Sequence, residues 1–244
     1  MSQKVALITG GARGIGKKIA LTLARKDWNV AICYRTSQSD AEETVGIIKE
    51  IGTQGYSLKA DVSDPEAAKG LVKDVEKKYG RIDALINCAG PYHRINILKE
   101  TAQGWNAMFD NNLHPVFYLT QAVSEGMIER ESGRIINFSM ANADKMMAQT
   151  EVTAHYIAKA GVLMLTRAFA RQLATHGITV NAISPGFIDS GSAPKDELNA
   201  MLSKIPAGYI GSPKDAVDAA LYLLSEEASY VNGSNIILSG GWGL

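Results

Sequence analysis

Seven short apolar runs recur along the chain, separated by longer stretches of a different period. The runs are KVALIT at 4–9, NVAIC at 29–33, GYSLKA at 55–60, DALIN at 83–87, GRIINF at 133–138, ITVNAI at 178–183 and SNIIL at 234–238. They are rich in Val and Ile and almost continuously hydrophobic, which is how strands covered on both faces read. Between them, stretches such as IGKKIALTLARK, PEAAKGLVKDVEKKY and GVLMLTRAFARQLA repeat their apolar residues three and four apart, as helices with one buried face do. Such alternation over the whole chain leaves few folds open. It predicts an α/β architecture: one doubly wound parallel sheet of about seven strands, helices on both faces, spanning 1–244 as a single domain. Asp64-Pro65 and Ser212-Pro213 read as helix starts, each a capping side chain followed by proline in the first turn.

Composition narrows the partners. The 244 residues carry 25 Lys and Arg against 25 Asp and Glu, so no basic face for nucleic acid or an acidic membrane is expected. No apolar run reaches membrane-spanning length, and MSQKVALITGG runs straight into the first strand without a signal peptide, so the expected location is cytoplasmic. Cys33 and Cys88 lie in apolar contexts that favour buried thiols over a disulfide. Residues 187–213 are rich in Gly, Ser and Pro, the composition of a substrate lid with a short helix or of an ordinary surface crossover. No metal-ligating pattern stands out.

VALITGGARGIG places Gly10, Gly14 and Gly16 directly after the first strand, at the opening of a helix. Gly10 permits a sharp turn, Gly14 lets backbone approach a phosphate, and Gly16 permits close helix–strand contact. The free N–H groups of the helix then suit a pyrophosphate. With the spacing G-x-x-x-G-x-G, this stretch resembles the fingerprint of the short-chain dehydrogenase/reductase family. ADVSD, NCAG, NNLHPVFYLTQA, GRIINF, KAGV, GITVNAISPGFIDS and VNGSNIILSGGW resemble the family's other markers in order. The resemblance covers essentially the whole chain and is nearest to the 3-oxoacyl-(acyl-carrier-protein) reductase branch.

That resemblance implies a Rossmann-type fold and a nicotinamide cofactor. Its binding residues would be Gly10, Arg13, Gly14, Ile15, Gly16, Asp61, Val62, Asn87, Ala89, Gly90, Lys159, Pro185, Gly186 and Ile188. Relatives that use NAD end the second strand with an Asp. Here that strand ends CYRTS, so Arg35, Thr36 and Ser37, with Arg13 on the glycine turn, are expected to bind a 2′-phosphate and select NADP(H).

The resemblance also implies hydride transfer to a carbonyl carbon, with a Tyr donating the proton, a Lys one turn later, a Ser on the carbonyl oxygen and an Asn holding a relay water. Lys159 and Asn112 fall on this pattern, with Asn111 the less expected neighbour. The other positions depart from it. Met140 stands where the Ser belongs, and Ser139 is one place early, on the opposite face of an extended chain. His155 stands four residues before Lys159, and the Tyr comes one late, at Tyr156. The segment 140–155 is two or three residues longer than the pattern, and Asp144 within it is a candidate acid.

Three readings stay open. His155 donates as an imidazolium, although the Lys159 charge would lower its pKa. Alternatively, a helix irregularity or late helix start swings Tyr156 into place. In the third, the site binds NADP(H) without turnover. The expectation adopted is NADPH-dependent reduction of a 3-oxoacyl thioester-like or other small ketone, against a catalytically impaired NADP(H)-binding protein or a pterin-type reductase. Tyr92, His93 and Arg94 are expected near the pocket mouth, with Met140, Met146 and Met147 as an adaptable apolar wall. Arg94 and Arg130 are weak candidates for docking an acyl carrier. PVFYLTQAV and GVLMLTRAFARQLA match the helices through which the family forms tetramers, and they also serve packing within one subunit.

Overall fold

In the computed structural model, residues 3–191 and 195–243 are described, except for the side chains at 195 and 197. The strands are β1 (Val5–Thr9), β2 (Asn29–Tyr34), β3 (Gly55–Lys59), β4 (Ala84–Asn87), β5 (Gly133–Phe138), β6 (Ile178–Pro185) and β7 (Asn235–Leu238). They form one sheet in the order β3-β2-β1-β4-β5-β6-β7, with every neighbouring pair parallel. Each of the seven apolar runs is therefore a strand.

Both faces of the sheet are buried, which explains the missing polar alternation. Successive strand residues face opposite ways. Ile8, Ile32, Ile86 and Ile136 enter one core with Ile19, Leu23 and Leu223. Leu7, Ala31, Leu85 and Ile135 enter the other with Leu71, Val75, Leu119 and Val123. The first face is covered by α1 (Gly14–Ala24), α2 (Gln38–Ile51) and α8 (Pro213–Leu224). The second is covered by α3 (Pro65–Tyr79), α5 (His114–Glu129) and α6 (Thr153–Leu173). The remaining helices are α4 (Ala102–Asn112) and α7 (Lys195–Leu202).

Both proline-marked helix starts form as the sequence predicts. Asp64 Oδ1 accepts from the Ala67 N–H at 2.8 Å, and Asp215 Oδ2 accepts from the Ser212 N–H at 2.7 Å in a capping box. The segment proposed as a lid holds α7 and a bridge between Ile188 and Gly211, while its residues 192–194 lie outside the described residues. Cys33 and Cys88 are free thiols, and burial pushes both up to about 12. Among the described residues, no helix is long and apolar enough to cross a membrane.

The chain runs outward from β1 to β3, then returns to β4 on the other side of β1. At this reversal the two connections diverge, and a crevice opens above the C-terminal ends of β1 and β4. The glycine turn and NCAG meet there.

Candidate active site

The turn after β1 takes the path its glycines permit. Gly10 and Gly14 adopt φ of +67° and +54°, in the left-handed region where a Cβ is penalised. A Cβ on Gly16 would lie 2.4 Å from the Gly10 carbonyl oxygen, so α1 starts in direct contact with the turn. Arg13 is its N-cap and makes no side-chain capping bond. Across the crevice, Thr9 Oγ1 accepts from the N–H groups of Cys88 and Ala89, both at 3.1 Å, which fixes the NCAG turn. Asn87 is buried and ties β4 to β5 through Asn137 at 2.8 Å.

A cleft of about 220 Å³ follows this edge. Its walls include Gly10, Arg13, Arg35, Thr36, Ser37, Asp61, Val62, Ala89, Gly90 and Asn111. Ile15 packs against the core beneath it. Pro185 and Gly186 close β6, Ile188 is buried just beyond, and the chain then passes over the glycine turn, where Ser190 would meet a Cβ on Gly14 at 3.6 Å. The two arginines both reach the cleft, yet each has a different partner. Arg13 pairs with Asp40 at 2.5 Å. Arg35 donates to Asn111 Oδ1 at 2.7 Å and stands 3.7 Å from Asp61.

The inner end of the cleft is built around Gly90. A Cβ there would meet Asn112 Oδ1 at 2.5 Å and Lys159 Nζ at 3.0 Å, so Gly90 packs directly against both side chains and only glycine fits. Asn112 ends α4, and α5 starts after Leu113. Its Nδ2 donates to Met108 O at 3.0 Å and Pro91 O at 3.1 Å, while its Oδ1 is buried without a protein partner. Lys159 is buried and donates to the Phe138 carbonyl at 2.8 Å. Burial pulls its pKa down to about 8.

His155 lies one helical turn before Lys159 and is also buried. Burial first, and the Lys159 charge second, push its pKa down to about 3 against a hydrogen bond to the Pro91 carbonyl. The ring is thus held neutral at physiological pH, which works against donation as an imidazolium. Nδ1 has no partner, and Tyr92 packs edge-on at 5.4 Å between ring centroids.

Tyr156 faces elsewhere. Its N–H bonds Val152 O at 2.8 Å, four residues back, and no bulge interrupts α6. Its hydroxyl donates to the Asn142 carbonyl and accepts from the Met147 N–H at 3.0 Å. The helix irregularity or late start considered above is absent, and the phenol anchors the long 139–152 segment. Ser139 Oγ donates to the Lys159 carbonyl at 2.8 Å, a tie between β5 and α6. Met140, in the position of the family's Ser, is half-buried against Ala143, Leu163 and Ala182. Asp144 is exposed.

At the mouth, Tyr92, Arg94, Met146 and Met147 are exposed, and His93 pairs with Glu100 at 3.1 Å. Arg130 corrects the expectation. It donates to Ile82 O at 2.8 Å, before the start of β4, because α5 has by then run back to the N-terminal ends of the strands. Sequence reasoning missed the Pro91 carbonyl, which joins Asn112 and His155, since a backbone acceptor leaves no residue signature. It also missed Asp40, although an acid in the first turn beside a predicted phosphate pocket was readable.

A glycine turn at the reversal point of a parallel sheet, leading to a buried Lys and Asn, defines a doubly wound enzyme with a dinucleotide cleft. A family profile described as Enoyl-(Acyl carrier protein) reductase matches residues 10–243. The chain is 40% identical over 243 residues to 3-oxoacyl-(acyl-carrier-protein) reductase FabG of Staphylococcus aureus, covering 98% of this chain and 97% of the relative. To the enzyme of that name from Vibrio harveyi it is 34% identical over 241 residues, covering 98% and 96%. Among solved structures, a short-chain type dehydrogenase/reductase from Mycobacterium marinum superposes with a TM-score of 0.92 at 31% identity, covering 99% and 96%. Acetoin dehydrogenase YohF from Salmonella typhimurium gives 0.90 at 28%, covering 98% and 96%. The chain belongs to the short-chain dehydrogenase/reductase family, in its 3-oxoacyl-(acyl-carrier-protein) reductase-like branch. It is an oxidoreductase acting on C=O and CH–OH groups.

Proposed function

We propose that the protein reduces a carbonyl substrate with NADPH. The observation that carries this reading is the packing of Gly90, in the wall of a cleft that also holds Arg13 and Arg35, directly against Lys159 Nζ and the unpartnered Asn112 Oδ1. When bound, the reduced nicotinamide supplies a hydride to the carbonyl carbon. Gly10, Gly14 and Gly16 would hold the pyrophosphate on α1, Asp61 and Val62 the adenine, and Pro185–Ile188 the nicotinamide.

The carbonyl oxygen gains negative charge and needs a proton. Lys159, with a pKa of about 8, is an ammonium at neutral pH and is the proton source in this reading. Neutral His155 lies beside it as a hydrogen-bonding wall, and Asn112 Oδ1 offers an acceptor for a water that returns the proton from solvent. Tyr156 and Ser139 keep their ties to Asn142 and Lys159 and support this arrangement from behind.

The relatives' names favour a 3-oxoacyl thioester on a carrier protein, and the exposed Arg94, Met146 and Met147 suit a charged carrier and an apolar chain. Residues 187–213 would close over it as a lid. A cytoplasmic tetramer is the matching assembly. The test is loss of NADPH absorbance with short 3-oxoacyl thioesters, other ketones and pterins, in the parent protein and in Lys159→Met. Turnover in the parent and its loss in Lys159→Met is the expected result.

A second reading rests on Met140 occupying the position of the family's Ser: the protein binds NADPH without turnover. It would be established by NADPH binding with no consumption across that panel, together with gain of activity in the double variant Met140→Ser, His155→Tyr.

A further inference from the structure

We infer that Asp40 is a specificity-determining residue, an internal competitor for the 2′-phosphate that sets how strongly the protein favours NADPH over NADH. The inference rests on the NADP(H) reading above and deepens it.

The pocket for that phosphate is formed by Arg13, Arg35, Thr36 and Ser37. It lies at the N-terminus of α2, a helix of 14 residues whose Ser37 cap makes no side-chain capping bond. The Ser37 side chain therefore leaves the opening of the helix uncapped, while the Asp40 N–H is held by its own carboxylate. Asp40 stands in the first turn, and its carboxylate takes the Arg13 guanidinium at 2.5 Å. The Arg13 bond holds its carboxyl below the usual range against the smaller opposing effect of burial, so it is charged at neutral pH. Lys17, whose charge also reaches Asp40, is paired with Glu43 at 2.8 Å. Arg35 is occupied by Asn111 and Asp61. Arg13 and Arg35 are thus each balanced by a carboxylate, Asp40 and Asp61.

An incoming phosphate must share Arg13 with Asp40, whose bond takes one guanidinium nitrogen, and stand close to that carboxylate. A cofactor with a bare 2′-hydroxyl meets neither cost. Removing the Asp40 charge should therefore strengthen only ligands that carry the phosphate. The pair is exposed, so the effect is modest, roughly two- to tenfold in Kd.

The test is calorimetric titration of the parent, Asp40→Asn, Asp40→Ser, Arg13→Ala and the double variant Arg13→Ala, Asp40→Asn. The ligands are NADPH, NADH and adenosine 2′,5′-bisphosphate, each at low and high salt. The expected result has NADPH and the bisphosphate binding tighter to both Asp40 variants, and less so at high salt. NADH should be unchanged, and the double variant should show no gain over Arg13→Ala. If the parent prefers NADPH but the Asp40 variants bind it equally or more weakly, the inference is overturned and the cofactor assignment stands. If the parent itself binds NADH as tightly as NADPH, both fall.

Discussion

At the scale of single residues, the site turns on His155 and Lys159, both buried on one face of α6. Their depressed pKa values make opposite demands on pH. His155 has a pKa of about 3 in the fold against 6.5 outside it. Between those values the unfolded chain binds more protons, so the stability this group contributes is complete above 6.5 and is lost as pH falls. At about pH 4.5 the loss is roughly 2–3 kcal/mol, at 1.36 kcal/mol per unit. His155→Phe keeps a ring against Tyr92 and removes the titration. Melting curves at neutral pH and near pH 4.5 should show the parent losing more stability than the variant, and equal losses would mean that the ring is solvated. Lys159 acts on rate instead. As the acid for reduction it must be protonated, so kcat/KM should fall as pH rises through about 8. A profile flat to pH 10 would exclude it as the proton source. That Lys159 and Asn112 lie together beside Gly90 was legible, because the spacing around KAG and NL places them. The state of His155 was not, since burial of a ring depends on what packs above it.

At the scale of elements, the seven strands could be read directly because a strand buried on both faces has no competing pattern. The helix starts at Asp64 and Ser212 were legible for a local reason: their caps bond within three residues. Asp64→Ala should accordingly cost about 1 kcal/mol in a denaturant melt, with the slope unchanged. The 139–152 segment was not legible. Its course depends on a phenol nine residues away reaching Met147, and nothing in the local sequence reports such a tie. Tyr156→Phe separates the two roles considered for this residue. As an anchor, its loss should lower stability by about 1–3 kcal/mol and leave kcat within tenfold. As the acid, its loss should cut kcat by roughly 100- to 10,000-fold at little cost in stability. The anchor outcome is expected.

At the scale of the whole molecule, the sheet order brings the cofactor cleft to the reversal between β1 and β4 and leaves a different surface unfilled. That surface lies on α5 and α6. Ile157 and Met164 stand seven residues apart on one face of α6, 43% and 71% exposed, and Phe117 of α5 is 40% exposed beside Phe169. A helix whose other face already packs on the sheet gains nothing within the subunit from such residues. Side chains of this size contribute about 1.5–3 kcal/mol each when fully buried, so a second copy laid against them has a strong drive to associate. This face could not be told from the inward one in the sequence, because both read as apolar at helical spacing. The prediction is an assembly larger than the monomer in sedimentation equilibrium, expected as a tetramer. Met164→Asp should dissociate it without lowering NADPH affinity, since Met164 lies outside the cleft walls. A parent that sediments as a single chain over the full concentration range would refute the interface, and would leave this apolar face as ordinary exposed surface.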